Sequence, residues 1–253
     1  MPTLFSSPSS ADGQVQNVKV QSGAWAACRS GGTGTSAGPT ATRNFNGASA
    51  QNVAGRGSEV AGIGRCFFTF DTSGITVAPS SATLKIYGVV RGTADVIAVR
   101  STHSTTLATS DFDALHNSST ELGNSDGSGG GSLASVSGLT YSAELATWST
   151  SGYNDIALNS TALSDMASLS TFKVAVIEYD MDYLDVAPLG SGFRGAGMYF
   201  ADQSGTSLDP KIDYVAGGVA TTYAHSVMGV ASGDIGKVNG VATANIGKVN
   251  GVG

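Results

Sequence analysis

The chain has 253 residues, 41% of them hydrophobic, with 35 glycines and a formal net charge of −6. That length and apolar share support a real core, in one large domain with an appendage or in two small domains. Sparse charge with an acidic balance excludes a basic nucleic-acid surface, and no apolar run is long enough for a membrane-spanning helix.

The opening MPTLFSSPSSADG lacks the basic and apolar segments of a signal peptide, so synthesis in the cytoplasm is expected. Residues 1–60 are rich in Gly, Ser, Thr, Ala and Asn. Apolar alternation appears there only around Val15, Val18 and Val20, which predicts one strand followed by long loops. Cys28 and Cys66 are the only cysteines and are expected to be free, buried thiols.

From Arg65 onward the pattern sharpens into β-branched and aromatic runs bounded by turn formers. These are CFFTF (66–70), TLKIYGVV (83–90), DVIAVR (95–100), FKVAVIEY (172–179), GMYF (197–200) and KIDYV (211–215). In FKVAVIEY, Phe172, Val174 and Val176 alternate with Lys173, Ala175 and Ile177, so both faces are covered and a central sandwich strand is predicted. A short helix is expected over 160–169, capped by Ser160 or Thr161, with Leu163, Met166 and Ala167 at helical spacing. Residues 117–138 read as a polar, glycine-rich surface excursion. Gly217 and Gly218 mark a boundary, giving a sandwich domain over 1–216 and a tail over 217–253.

The tail repeats every eleven residues, over 224–234, 235–245 and 246–253, and the last two copies share IGKVNGV. Asn239-Gly240 and Asn250-Gly251 stand between valines, the strongest short hairpin signal, because both turn positions tolerate positive φ. Val227, Val230, Ile235, Val238, Val241, Ile246, Val249 and Val252 are too few to bury a core alone. They are the candidate oligomerisation or anchoring residues, and a floppy tail is the competing reading.

The order of RCFFTFDTSGI (65–75), SATLKIYG (81–88), YNDIALNSTALSDM (153–166), FKVAVIEYD and ADQSGTSLDPKIDYV (201–215) resembles the DNRLRE-type β-sandwich. That family is similar to carbohydrate-binding modules and recurs among bacteriophage structural proteins. The segment MGVASGDIGKVNGVATANIGKVNG is similar to C-terminal repeats of phage and prophage structural proteins. The two likenesses imply an all-β, jelly-roll-like antiparallel sandwich with a short helix and a β-repeat tail. They imply a noncatalytic virion protein, a head decoration or tail-fibre component, with a homotrimer and other virion proteins as partners. They carry over no binding residue.

The residues offer little catalytic chemistry. GSGFRG (190–195) matches a dinucleotide-loop pattern by letter, but no helix follows, so a loop between strands is expected. His103, His116 and His225 are scattered, without a metal-binding pair or a nucleophile elbow. Glu178, Asp180, Asp182 and Asp185 form a candidate calcium site, since closely spaced acids repel until a cation binds; the competing reading is a solvated strand end. No other cofactor is expected. Trp148, Tyr153 and Tyr183, with Trp25 and Tyr199 beside them, are candidate sugar-stacking aromatics for a host surface glycan, against the plainer reading that they pack in the sandwich. A carbohydrate-binding module and a self-assembling filament are therefore the rival functions.

Overall fold

The structure, a computed structural model, describes residues 1–7, 11–39, 42–54, 58–116, 131–186, 192–218, 237–238 and 241–242. In chain order the elements are β1 (Thr3–Phe5), β2 (Gly13–Gln21), α1 (Ala24–Arg29), β3 (Ser36–Gly38), β4 (Arg43–Ala54), β5 (Glu59–Asp71), β6 (Ser81–Gly92) and β7 (Val96–Arg100). There follow β8 (Tyr153–Ala157), α2 (Ser160–Ser168), β9 (Thr171–Glu178), β10 (Gly192–Tyr199), β11 (Lys211–Val215), β12 (Lys237–Val238) and β13 (Val241–Ala242). Every strand pair is antiparallel, and the fold is an all-β, sandwich-like one whose sheet does not close. Among the described residues no helix is long and apolar enough to cross a membrane.

Strand β5 sets the architecture by changing partners. One edge pairs with β2 from Glu59 to Phe67, while the other pairs with β4 up to Gly64 and with β9 from Cys66 onward. Strand β4 leaves to join β10, and β10 meets β6 at Gly88 and Gly92. Around β6 the strands β11 and β8 occupy the two edges, with β1 beyond β11. Two layers result, β3-β2-β5-β9-β7 and β1-β11-β6-β8, bridged by β4 and β10.

Alternation then fixes two cores. Phe68, Phe70, Phe172, Val174 and Val176 point between the layers and meet Leu84, Ile86, Ile156, Met198 and Ile212. Each fully buried side chain of this size contributes about 1.5–3 kcal/mol relative to exposure. The opposite face of β5 and β9, carrying Ile63, Phe67, Ala175 and Ile177, is covered by Ala24, Trp25 and Cys28 of α1, and by Phe112, Leu133 and Leu139. The expected central strand 172–179 is thus central, and all six runs expected from Arg65 onward are strands.

Four expectations need correction. Residues 1–60 hold four complete strands and a helix rather than one strand and loops. Strand β4, RNFNGASAQNVA, lacks alternation because it runs where the layers join, and there small residues such as Ala48 and Ala50 are fully enclosed. Residues 192–195 of GSGFRG are strand, not loop. The cap of α2 is Asn159, whose Oδ1 accepts the Ala162 N–H at 3.0 Å, and neither Ser160 nor Thr161 fills that role. Within 117–138, residues 117–130 lie outside the described residues, but Leu133 and Val136 are buried in the second core, so the part 131–138 is not a polar excursion.

Candidate functional site

One layer is open where the other is covered. The inward residues Leu84 and Ile86 of β6 alternate with Thr83, Lys85 and Tyr87, which face outward. Register carries this outward row across the sheet, with Tyr153 opposite Tyr87, Asp155 and Lys211 opposite Lys85, and Phe5 opposite Lys211. Across β10 and β4, Tyr199 stands opposite Arg43. None of the buried residues of the two cores comes from this row.

The row interleaves aromatic rings with cations. Tyr87 sits edge-on between Tyr153 at 5.3 Å and Tyr199 at 5.9 Å between ring centres. Lys211 Nζ lies 4.4 Å from the Tyr153 ring centre, while Arg91 stands over Phe193 at 4.5 Å and Arg43 over Phe45 at 4.8 Å. Phe5 and Phe45 are 44% and 45% exposed, large apolar surface that no described element covers. The Tyr153 hydroxyl donates to Ser207 O at 2.9 Å and Asp209 O at 3.1 Å, and the Tyr87 hydroxyl to Ser151 O at 2.9 Å, so both rings are fixed. Burial, then the Asp209 and Asp213 charges, raises the Tyr153 phenol further above its ordinary value and keeps it neutral. Arg43, Arg91 and Lys211 thus stand over rings, while Lys85 pairs with Asp155 at 2.6 Å. Such a surface offers apolar ring faces for stacking and cations for anionic groups.

The acidic cluster predicted from EYDMDYLD is met by arginines. Arg65 donates twice to Asp182, from Nε and Nη2 at 2.8 Å each, and Arg29 Nη1 donates to Asp182 Oδ1 at 2.7 Å. Arg29 also reaches Asp185 at 3.0 Å and Gly131 O at 2.9 Å, and Asp180 pairs with Arg194. Burial pushes the Asp182 carboxyl up, but the charges and hydrogen bonds of Arg65 and then Arg29 outweigh it and hold the group below the usual carboxylate range. Glu178 instead caps the π turn Tyr179–Tyr183 by accepting the Met181 and Asp182 N–H groups, and burial raises it to about 7. Among the described residues no group of three or more His, Cys, Asp or Glu side chains comes together in a way that holds a metal.

The predicted glycan aromatics part company. Trp148 is buried and donates from Nε1 to Gly197 O at 2.9 Å, and Tyr183 is buried, bonded to Thr140 Oγ1 at 2.6 Å, so both belong to cores. Trp25, a residue of α1, is buried in the second core. Tyr153 and Tyr199 alone reach the open face, beside Tyr87, Arg43 and Lys211, which sequence reasoning did not single out. The signal was present in the alternation of SATLKIY and KID, where every second residue is polar or aromatic. Cys28 and Cys66 are free and buried, as expected, and burial pushes the Cys28 thiol up to about 12.

In the tail, Lys237–Val238 pairs with Val241–Ala242, Val238 opposite Val241, which is the two-residue connection that Asn239-Gly240 predicts. Val227, Val230, Ile235, Asn239, Gly240, Ile246, Val249, Asn250, Gly251 and Val252 lie outside the described residues. No known family model matches the chain, and no curated protein matches it.

Proposed function

We propose that this chain is a noncatalytic structural protein of a bacteriophage particle surface, a head decoration or tail-fibre component, whose repeat tail anchors or trimerises it. The observation that carries the reading is the pairing of Lys237–Val238 with Val241–Ala242 inside a unit that repeats along the sequence. A lone two-stranded ribbon is marginal in water, so repeated ribbons act by packing on copies of themselves or on a larger surface. The sandwich-like fold and the likeness of IGKVNGV to phage tail repeats agree with that role.

The test is solution mass by light scattering for the full chain and for a chain ending at Gly218. A discrete trimer or other small oligomer that falls to monomer on truncation is the expected result. Two monomers would remove self-assembly through the tail, and mass that grows with concentration would favour a filament.

A second reading, capture of a bacterial surface glycan, is favoured by the open aromatic and cationic row around Tyr87. It is compatible with the first, since a virion surface protein that also holds glycan assists host attachment.

A further inference from the structure

Asp12 stands one residue before β2, and its side chain is fully enclosed. Its Oδ2 accepts the Ala201 N–H at 2.7 Å, while Oδ1 is buried without a partner. Asp202, in the turn that follows β10, lies within hydrogen-bonding reach of Asp12, and its own Oδ2 is likewise buried and unpartnered. Two neighbouring carboxylates that are both ionised would each leave a buried acceptor unsatisfied and repel one another.

Among the described residues no basic side chain forms an ion pair with Asp12 or Asp202. Buried Asp182 has two arginines, but the charged groups acting on Asp12 are Asp202 and Asp209, both acidic. Asp209 Oδ1 is taken by Gln203 Nε2 at 2.6 Å. On the other side, the His103 ring near the Ala11 backbone is neutral, burial holding it down to about 4. One proton resolves both orphans together, because a protonated Asp12 donates where an ionised one only accepts.

We infer that Asp12 and Asp202 share a single proton as a carboxylic acid and carboxylate pair, and that this proton braces the start of β2 against the turn 201–209. The brace ties the covered layer to the segment leading into β11 of the open layer. The same turn accepts the Tyr153 hydroxyl at Ser207 and Asp209, so the brace reaches the edge of the open face. Burial first, then the Asp202 and Asp209 charges, against the pull of the Ala201 N–H, raises Asp12 to about 8. A carboxyl raised on folding stabilises fully below its unfolded value, and that contribution is lost as pH rises through about 8.

Carbon-detected NMR of the aspartate carboxyl carbons on the full chain tests this directly. The expected result is one aspartate whose titration midpoint falls near pH 8, absent in Asp12→Asn and shifted to lower pH in Asp202→Asn. Melting temperature should fall as pH rises from 5 to 8.5 in the wild type, and by clearly less in Asp12→Asn, whose amide replaces the donor. Wild-type aspartates that all titrate in the ordinary acid range would overturn the inference, even if neither variant folds. So would millimolar calcium raising the wild-type melting temperature at pH 9 but leaving Asp12→Asn unmoved, which would make the pair a cation site.

Discussion

Arg65 grips Asp182 through two parallel hydrogen bonds of 2.8 Å, with both side chains closed off from solvent. Arg65 occupies the residue of β5 between its pairing with β4 and its pairing with β9, so the ion pair sits where the sheet divides. Arg65 also donates to Phe112 O at 2.8 Å and lies over the Phe112 ring at 4.3 Å. Asp182 in turn receives Arg29 from α1. The network therefore joins the helix, the branching strand and the turns that cover the second core, and its role is to hold that cover in register.

Removing one partner of a buried ion pair strands the other. Asp182→Ala leaves Arg65 and Arg29 without their shared acceptor and is expected to cost about 3–5 kcal/mol, the range for such breaks. Asp180→Ala, which removes a partly exposed pair with Arg194, is expected to cost under about 1 kcal/mol. Urea unfolding of the two variants beside the wild type checks the contrast, and equal costs would contradict the assigned role.

Acid should weaken the fold through His103. Its ring is buried between Ser101 Oγ at 2.8 Å and Thr69 Oγ1 at 2.9 Å, and burial, with the Lys173 charge behind it, lowers it to about 4. The unfolded chain takes up this proton near the ordinary value of about 6.5 and the folded chain resists until about 4. The neutral ring's contribution is thus present above pH 6.5 and is lost as pH falls toward 4. Glu178, raised to about 7, acts in the opposite sense over an overlapping range. The difference in unfolding free energy between wild type and His103→Gln isolates the histidine, and it should narrow as pH drops from 7 to 4.5.

Strands were legible in the sequence where large side chains write the pattern, as period-two alternation in TLKIYGVV and as a run apolar on both faces in FKVAVIEY. Strand β4 was not, since close approach of backbones there selects Gly, Ala and Ser, which carry no such pattern. The acids of EYDMDYLD were visible as a cluster, but their partners Arg29 and Arg65 are 153 and 117 residues away from Asp182, a distance local spacing cannot span. Tyr153 was noticed as an aromatic; its neighbours Tyr87 and Lys211 became relevant only once strand order placed β8 and β11 on the two edges of β6.

Gly47 marks the tightest of those backbone approaches. It has φ +54°, and an added Cβ would lie 1.7 Å from Ala196 O across the β4–β10 pair. Gly23 has a similar φ of +68° with open space around it. Gly23→Ala is expected to cost about 1–2 kcal/mol, the strain of the left-handed region alone. Gly47→Ala adds a backbone clash that no rotamer relieves, so its loss should exceed that of Gly23→Ala by several kcal/mol or abolish folding. Denaturant midpoints of the two variants make the comparison, and near-equal values would show that β4 and β10 separate at little cost.

Glycan capture by the open face carries its own signature. Tyr87 is the central ring of the row, flanked by Tyr153 and Tyr199, and its outward side chain lies outside both cores. Tyr87→Ala should therefore weaken binding of an acidic bacterial polysaccharide by about tenfold, near 1.4 kcal/mol, with a small change in melting temperature. Arg43→Ala combined with Lys211→Ala should weaken it further at low salt and little at 1 M salt, where charges are screened beyond about 3 Å. A neutral polysaccharide should not respond to the double substitution. Binding measured by affinity electrophoresis across these variants, if unchanged by all of them, would assign any glycan recognition to another surface and leave the aromatic row to contacts within the particle.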